Sequence, residues 1–390
     1  MEFTLTLGGN LLIGWKSFSI DASITEPVST ASVGFKDFTP NRFNEANQLL
    51  EIRQGKTILF KGYTFGVSKN TDTGTLSFSL EARNLFADLY DSSIGYEPLF
   101  KTKSYLSLLS SVCRKFKATN NFIFNIENNL PIDKTELEKA LPEEGIWSYI
   151  SDLSKKRQIL PFVLPDNTLK VTDNIYSLGR RTSIATYFDS VDNNVVKSCS
   201  ASVKKEDLFN VYGYVSEVSA QSVRSKQPTY KKGTVRDFSV RPERISYENI
   251  RIEKDKSLAD RKIKWRKAIA TASQQSLNIT TNRLYNQDGN LWQIGDYIDY
   301  TNDYLGISGV FLITNVQYQF SSESGTICTI TLADPKALLP EPPDALSKSQ
   351  QNRATMQNSR VSRRKKKTQK ETQATPYGKV PLDDLLGEPK

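Results

Sequence analysis

The chain has 390 residues and a mass of 44.0 kDa, carries 52 Lys and Arg against 43 Asp and Glu for a formal charge of +9, and contains no histidine. That absence excludes Ser-His-Asp and Cys-His nucleophile arrangements, HExxH zinc sites and imidazole pH switching together. A hydrophobic share of 38% with mean hydropathy −0.46 suits two or three domains with extensive polar surface.

The N-terminal stretch reads as successive strands. Phe3, Leu5 and Leu7 alternate with polar neighbours, as do Phe18, Ile20, Ala22 and Ile24, then Ala31, Val33 and Phe35. A period of two marks half-buried antiparallel strands. Residues 58–67 and 75–82 predict a hairpin turned by Asn70 to Gly74, with Leu76, Phe78, Leu80 and Ala82 inward. A short helix follows over 84–90. Several strands closed by one helix predict a small barrel over residues 1–95, because closure removes exposed edges.

From residue 96 the pattern changes to α+β. Leu106, Leu109, Val112, Cys113 and Phe116 recur at helical spacing, a strand follows over 122–126, and a second helix carries Ile146, Ile150 and Leu153. A hairpin of residues 159–164 and 168–171 turns at Pro165-Asp166-Asn167, completing a lobe over 96–177.

Strands resume near Ile184 and continue over 195–203 and 208–215. The polar segment from Ser216 to Arg236 is too long for an ordinary hairpin loop and reads as a functional arm. A helix is predicted over 257–273, capped by Ser257, with Asp260 in its first turn and Leu258, Trp265, Ile269 and Ala272 on one face. Four strands complete the region. The first two are expected to turn at Asn286 to Gly289, and the last two, over 310–320 and 326–332, at Ser321 to Gly325. The expected architecture is mainly β with α+β: two antiparallel β-barrels, 1–95 and 178–340, flanking an inserted α+β lobe.

After residue 340 the composition turns to Ser, Gln, Asn, Thr and Lys, a basic low-complexity tail over 341–390 that cannot build its own core. From Glu341 onward eleven basic residues face six acidic ones, so +5 of the +9 belongs to the tail and +4 to the body. Two tail features are candidate partner-binding sites. Arg363, Arg364, Lys365, Lys366 and Lys367 form a basic run suited to an acidic surface, and Leu382, Leu385 and Leu386 sit at helical spacing for docking in a groove. No aromatic residue interleaves the basic run and no helix-turn-helix pattern accompanies it, which disfavours a sequence-reading DNA module.

No catalytic, cofactor or metal site is expected. Asp91, Asp133, Asp166, Asp173 and the Glu143-Glu144 pair fall in turns or helix starts, where acidic residues are favoured locally. No GxxxxGK[ST] or GxGxxG motif occurs, and Gly8-Gly9 reads as a structural turn. Cys113, Cys199 and Cys328 are too far apart for a disulfide framework or metal cluster and read as reduced thiols. No apolar run reaches the ~20 residues of a membrane span, and MEFTLTLGGN lacks a signal-peptide pattern. The expectation is a chain made in the cytoplasm. Trp15, Tyr63 and Trp292, each beside a turn or strand start, read as core or interface anchors.

One family fits these residues in order. Leu11-Leu12-Ile13-Gly14-Trp15 with the strand ending Ser23-Ile24-Thr25, then Phe60-Lys61-Gly62-Tyr63, and the run from Leu80 to Asp91, resemble the opening of the baseplate hub protein of Mu-like contractile-tailed phages. Ile146 to Ile150 with Lys156-Arg157 is similar to its lobe helix. Asp288 to Trp292 and Leu332-Ala333-Asp334-Pro335 resemble its last barrel. The resemblance runs collinearly over residues 3–340. It implies a non-enzymatic homotrimer akin to tail protein D and the hub half of VgrG spikes, with two tail-tube-like barrels per chain. Three chains would then present six similar units and match a three-fold central spike to a six-fold tail tube. The implied partners are the spike, the tail tube protein, the tape-measure protein and baseplate wedge proteins. DNA would be a transient passenger in the lumen, and the place of action would be the virion tail baseplate. A nucleic-acid-binding β-barrel protein acting through the basic tail is the alternative.

Overall fold

The computed structural model describes residues 2–36, 47–72, 75–93, 104–119, 121–126, 143–177, 179–186, 196–217, 230–249 and 256–339. The alternation of the first hundred residues becomes seven strands: β1 (Phe3–Leu7), β2 (Asn10–Leu11), β3 (Trp15–Ser23), β4 (Thr30–Lys36), β5 (Leu49–Gln54), β6 (Thr57–Asp72) and β7 (Thr75–Asn84). The expected inward residues Leu5, Leu7, Phe18, Ile20, Ala22, Val33, Phe35, Phe78, Leu80 and Ala82 are all buried. β6 and β7 form the predicted hairpin, longer at both ends than the pattern suggested. Gly62 is required where they cross: a Cβ there would overlap the Arg83 carbonyl oxygen and sit 2.6 Å from its carbon. Gly8 and Gly9, at φ of 57° and 83°, make the β1–β2 turn.

A short helix α1 (Phe86–Asp91) leads into the lobe, built from α2 (Tyr105–Lys115), β8 (Phe122–Asn125), α3 (Ile146–Lys156), β9 (Leu160–Val163) and β10 (Leu169–Thr172). Ser104 caps α2 by accepting from the Ser107 amide. The central β10 runs parallel to β8 and antiparallel to β9. Phe86, Leu89, Leu109, Val112, Ile146, Ile150, Leu153 and Val171 share a core distinct from that of the main sheet.

The second strand group comprises β11 (Arg181–Thr186), β12 (Val196–Val203), β13 (Val211–Glu217), β14 (Tyr230–Arg236), β15 (Ile245–Asn249), α4 (Lys256–Ser273), β16 (Gln275–Thr281), β17 (Tyr297–Asn302), β18 (Ile307–Ser321) and β19 (Gly325–Ala333), ending in a 3-10 turn, Pro335–Leu338. The mainly β, α+β class is the expected one, with two strand groups around a lobe. The groups are nonetheless joined. One 13-stranded sheet runs β12-β16-β19-β18-β3-β4-β7-β6-β5-β1-β2, with β17 on β18 and β11 on β17, and it curls into a half-barrel. β18 is the splice. Along one edge it pairs first with β17 through Ile307–Leu312, then with β3 through Asn315–Ser321. The changeover is a bulge at Thr314, whose carbonyl accepts from the Ile24 amide at 2.8 Å. A single hydrophobic core therefore spans both groups, from Leu5 and Ile20 to Ile279 and Leu332. Phe3, Trp15, Phe18 and Phe320 cluster over the seam with ring centroids 4.9 to 5.9 Å apart.

Three expectations change. The Asn286–Gly289 turn does not join neighbouring strands: β16 pairs with β12 and β19, while β17 pairs with β11 and β18. The turn itself forms at the surface, with Gln287 to Gly289 exposed and Tyr285 bridged to Leu291, while Leu284, Leu291, Trp292 and Ile294 beside it are buried. The segment Ser216–Arg236 is not all loop, since its last seven residues are β14, paired with β13; residues 218–229 lie outside the described residues. α4 opens at Lys256, one residue before the cap expected at Ser257, and buries Ala259, Ile263 and Ala272, with Trp265 and Ile269 half-buried.

Candidate interaction surfaces

Chemistry-bearing side chains are occupied structurally. Asp91 holds Arg83 at 2.6 Å. Asp166 caps its own turn by accepting from the Thr168 amide at 2.9 Å. Asp133 lies outside the described residues. Among the described residues no cluster of metal-ligating side chains occurs and no helix is long and apolar enough to cross a membrane. The thiols of Cys113 and Cys328 are buried and unpaired, and Cys199 is half-buried. Burial pushes the Cys113 thiol up to about 12 and Cys328 higher still, which keeps both protonated.

The lobe is fixed to the first strand group by the turn Pro165-Asp166-Asn167. Asn167 takes the left-handed conformation at φ 68°, which asparagine tolerates. Its Oδ1 accepts from the Leu85 amide at 2.9 Å, its Nδ2 donates to the Lys61 carbonyl at 2.8 Å, and the Lys61 amide donates to the Pro165 carbonyl at 3.3 Å. On the other side, the Arg180 guanidinium donates to Asp296 Oδ2 at 3.0 Å and to the Leu291 carbonyl at 3.1 Å, while the Arg180 amide donates to Asp296 Oδ1 at 2.9 Å. Arg181 then forks onto Asp299 with two bonds of 2.7 Å, holding that carboxyl below the usual carboxylate range. The lobe is thus tied to the first strand group through its β9–β10 turn, and the chain leaving its C-terminal end is pinned to the second group.

Exposed apolar side chains gather in a few places. On the outer face of β6, Tyr63, Phe65 and Val67 face solvent, with the Arg83 guanidinium over the Phe65 ring at 5.9 Å. Leu11 and Ile13 are exposed at the β2 edge. The three-stranded sheet β14-β13-β15 packs one face on α4 through Tyr214, Ala259 and Ile263, while Ile245 and Tyr247 on the other face are exposed. Nearby Phe238 is 84% exposed. Such patches on one chain suit protein contacts. Tyr63 was legible from the sequence as an anchor, while Phe65, Ile245 and Tyr247 were not; their signal was an apolar residue at outward positions of strands whose inward positions were already filled. Trp15 and Trp292 are packing residues, and Tyr318 donates its hydroxyl to the Trp292 carbonyl. A groove of about 260 Å³ lies between α4, β14 and the 3-10 turn. The basic run Arg363–Lys367 and Leu382, Leu385 and Leu386 lie outside the described residues.

No curated protein sequence matches the chain. Residues 255–341 match the profile of the fourth domain of GpP, the Mu phage baseplate assembly protein. The 43 kDa tail protein of prophage MuSo2 from Shewanella oneidensis superposes with a TM-score of 0.70 over 88% of this chain and 100% of that one, at 18% identity. A tail protein from Neisseria meningitidis MC58 gives 0.68 over 87% and 98%, at 17% identity. The half-lidded Francisella PdpA-VgrG complex gives 0.52 over 89% of this chain and 60% of that one, at 13% identity. The chain thus shares the fold of these tail proteins, and its residues 255–341 match the GpP fourth-domain family.

Proposed function

We propose that the protein is a structural baseplate hub of a contractile phage tail or a phage-derived particle, working as a homotrimer without turnover. Its partners would be its own copies, the central spike, the tail tube protein, the tape-measure protein and baseplate wedge proteins. It would nucleate the tube and leave a lumen for DNA and tape-measure passage. Its place would be the virion baseplate, after assembly in the host cytoplasm. The supporting observation is the single sheet in which two strand groups stand edge to edge around a lobe, within a fold shared with Mu-type tail proteins. A cyclic trimer meets a six-fold ring evenly only if each subunit offers two comparable surfaces, and the two strand groups of the sheet would supply two. The working domain map is 1–95, 96–177, 178–340 and the tail 341–390.

Native mass spectrometry tests the reading directly. A species near three times 44.0 kDa is expected, and a monomer at micromolar concentration overturns it. Residues 218–229, between β13 and β14, are the candidate arm between neighbouring subunits; deleting them is expected to weaken trimer formation. Arg363 to Lys367 are assigned to an acidic surface on another baseplate component. Replacing them with Ser should reduce that interaction and leave the trimer intact.

A further inference from the structure

We propose that the groove between α4, β14 and the 3-10 turn docks the acidic leucine segment near the C-terminus of the same chain, Pro381–Gly387. The groove floor is apolar, formed by Val235, Ala268 and Ala272, and three lysines stand around it: Lys264, Lys267 and Lys336. Asp334 is its one carboxylate, and that group is engaged by the Lys336 amide at 2.8 Å. Lys267 is held by Asp237 at 3.5 Å and by the Arg236 carbonyl. Lys264 and Lys336 are exposed and reach no carboxylate among the described residues. At about 260 Å³ the space falls below the ~300–1,000 Å³ of small-molecule sites. It suits one or two side chains of a peptide instead.

The chain itself supplies a complementary peptide. Leu382, Leu385 and Leu386 bracket Asp383 and Asp384, so apolar anchors for the floor come with two carboxylates for the lysines. The point of departure favours this occupant. The Leu339 carbonyl accepts from Trp265 Nε1 at 2.8 Å, so the chain leaves the described body from α4, the helix that walls the groove. About forty residues separate Leu339 from Pro381, and a coil of that length spans roughly 35 Å end to end. Tethering at that range gives an effective concentration near 1 mM, so a contact with an intrinsic Kd of about 0.1 mM is occupied roughly ten to one. The basic run Arg363–Lys367 would be repelled by the same lysines, so it does not compete with the acidic segment for the groove. The assignment does not depend on the hub reading.

Hydrogen exchange on the full chain tests it. With the segment docked, amides of 336–338 and of the last two turns of α4 should exchange roughly tenfold more slowly than in Asp383→Lys, Asp384→Lys protein. A Leu382→Ser, Leu385→Ser, Leu386→Ser chain should behave like the charge-reversed one. Adding Lys264→Asp and Lys336→Asp to the reversed segment should restore protection. Equal exchange in the wild type and both tail variants overturns the proposal. A benzophenone side chain at position 385 should crosslink to α4 within one chain. Crosslinks falling elsewhere, or joining labelled and unlabelled copies in a mixed sample, overturn the own-chain assignment.

Discussion

Replacing Asn167 tests how the lobe is held. The side chain makes two hydrogen bonds across the junction, from the Leu85 amide and to the Lys61 carbonyl, while its backbone sits at φ 68°. Asn167 is itself 3% exposed, so water does not readily replace what is lost. Each bond contributes about 1 kcal/mol net, and an alanine in the left-handed region adds about 1 to 2 kcal/mol. Asn167→Ala should therefore cost roughly 3 to 4 kcal/mol, while Asn167→Gly, free of the backbone term, should cost about 2. The Ala-minus-Gly difference reads the backbone and the Gly-minus-wild-type difference reads the two bonds. Urea unfolding followed by tryptophan fluorescence gives the totals, and the Leu85 amide should lose exchange protection in both variants. Equal stability of Ala and Gly proteins would refute the backbone argument. A Leu85 amide that stays protected in both would refute the clamp.

The other predictions are local. Gly62→Ala places a Cβ into the Arg83 carbonyl and should destabilise by more than about 3 kcal/mol, read as lost soluble yield or a lowered melting temperature. Asp299 has a folded pKa below its unfolded value of about 3.9, so its pairing with Arg181 contributes above that pH and is lost as pH falls through the folded pKa. Asp299→Asn should cost no more than about 1 kcal/mol at pH 7, because the pair is partly exposed, and this gap should close below about pH 4 in acid titrations of stability. Thiol titration of the native protein should modify Cys199 alone, and urea should expose all three cysteines; rapid native labelling of Cys113 or Cys328 would contradict their burial.

What the amino-acid pattern reveals is local. The period of two across Phe18, Ile20 and Ala22 and the helical spacing of Leu109, Val112 and Cys113 each follow from one face meeting a core, and both are observed. The turn at Pro165–Asn167 was equally plain from its residue types, though not the reach of Asn167 to Leu85 and Lys61. Pairing between distant strands leaves no such trace. Nothing in Ile307–Ser321 states that one edge serves β17 and then β3, because an edge is specified by backbone groups that every residue carries. The inner face of α4 was legible only in part: Ala272 is buried as expected, while Ala259 and Ile263 are chosen by Tyr214 on the small sheet, whose pairing left no trace in the sequence. The exposed aromatics follow the same logic, since an outward Phe65 and an inward Phe60 look alike until the sheet is drawn.

The β3–β18 seam carries a consequence for biosynthesis. Its partners are far apart in the chain: Asn315 donates to Asp21 across 294 positions. On the ribosome β3 can take up β4 early, but its other edge stays unpaired until β18 has been made. At about 5 to 20 residues per second that interval is roughly 15 to 60 s. During it an open strand edge is presented to every neighbouring nascent chain, a known hazard for edge-to-edge association. The long separation also means that a chain arrested before Ser321 has no way to complete the seam. Completion of translation is thus a checkpoint on the joined sheet, and truncated chains should be cleared by proteolysis.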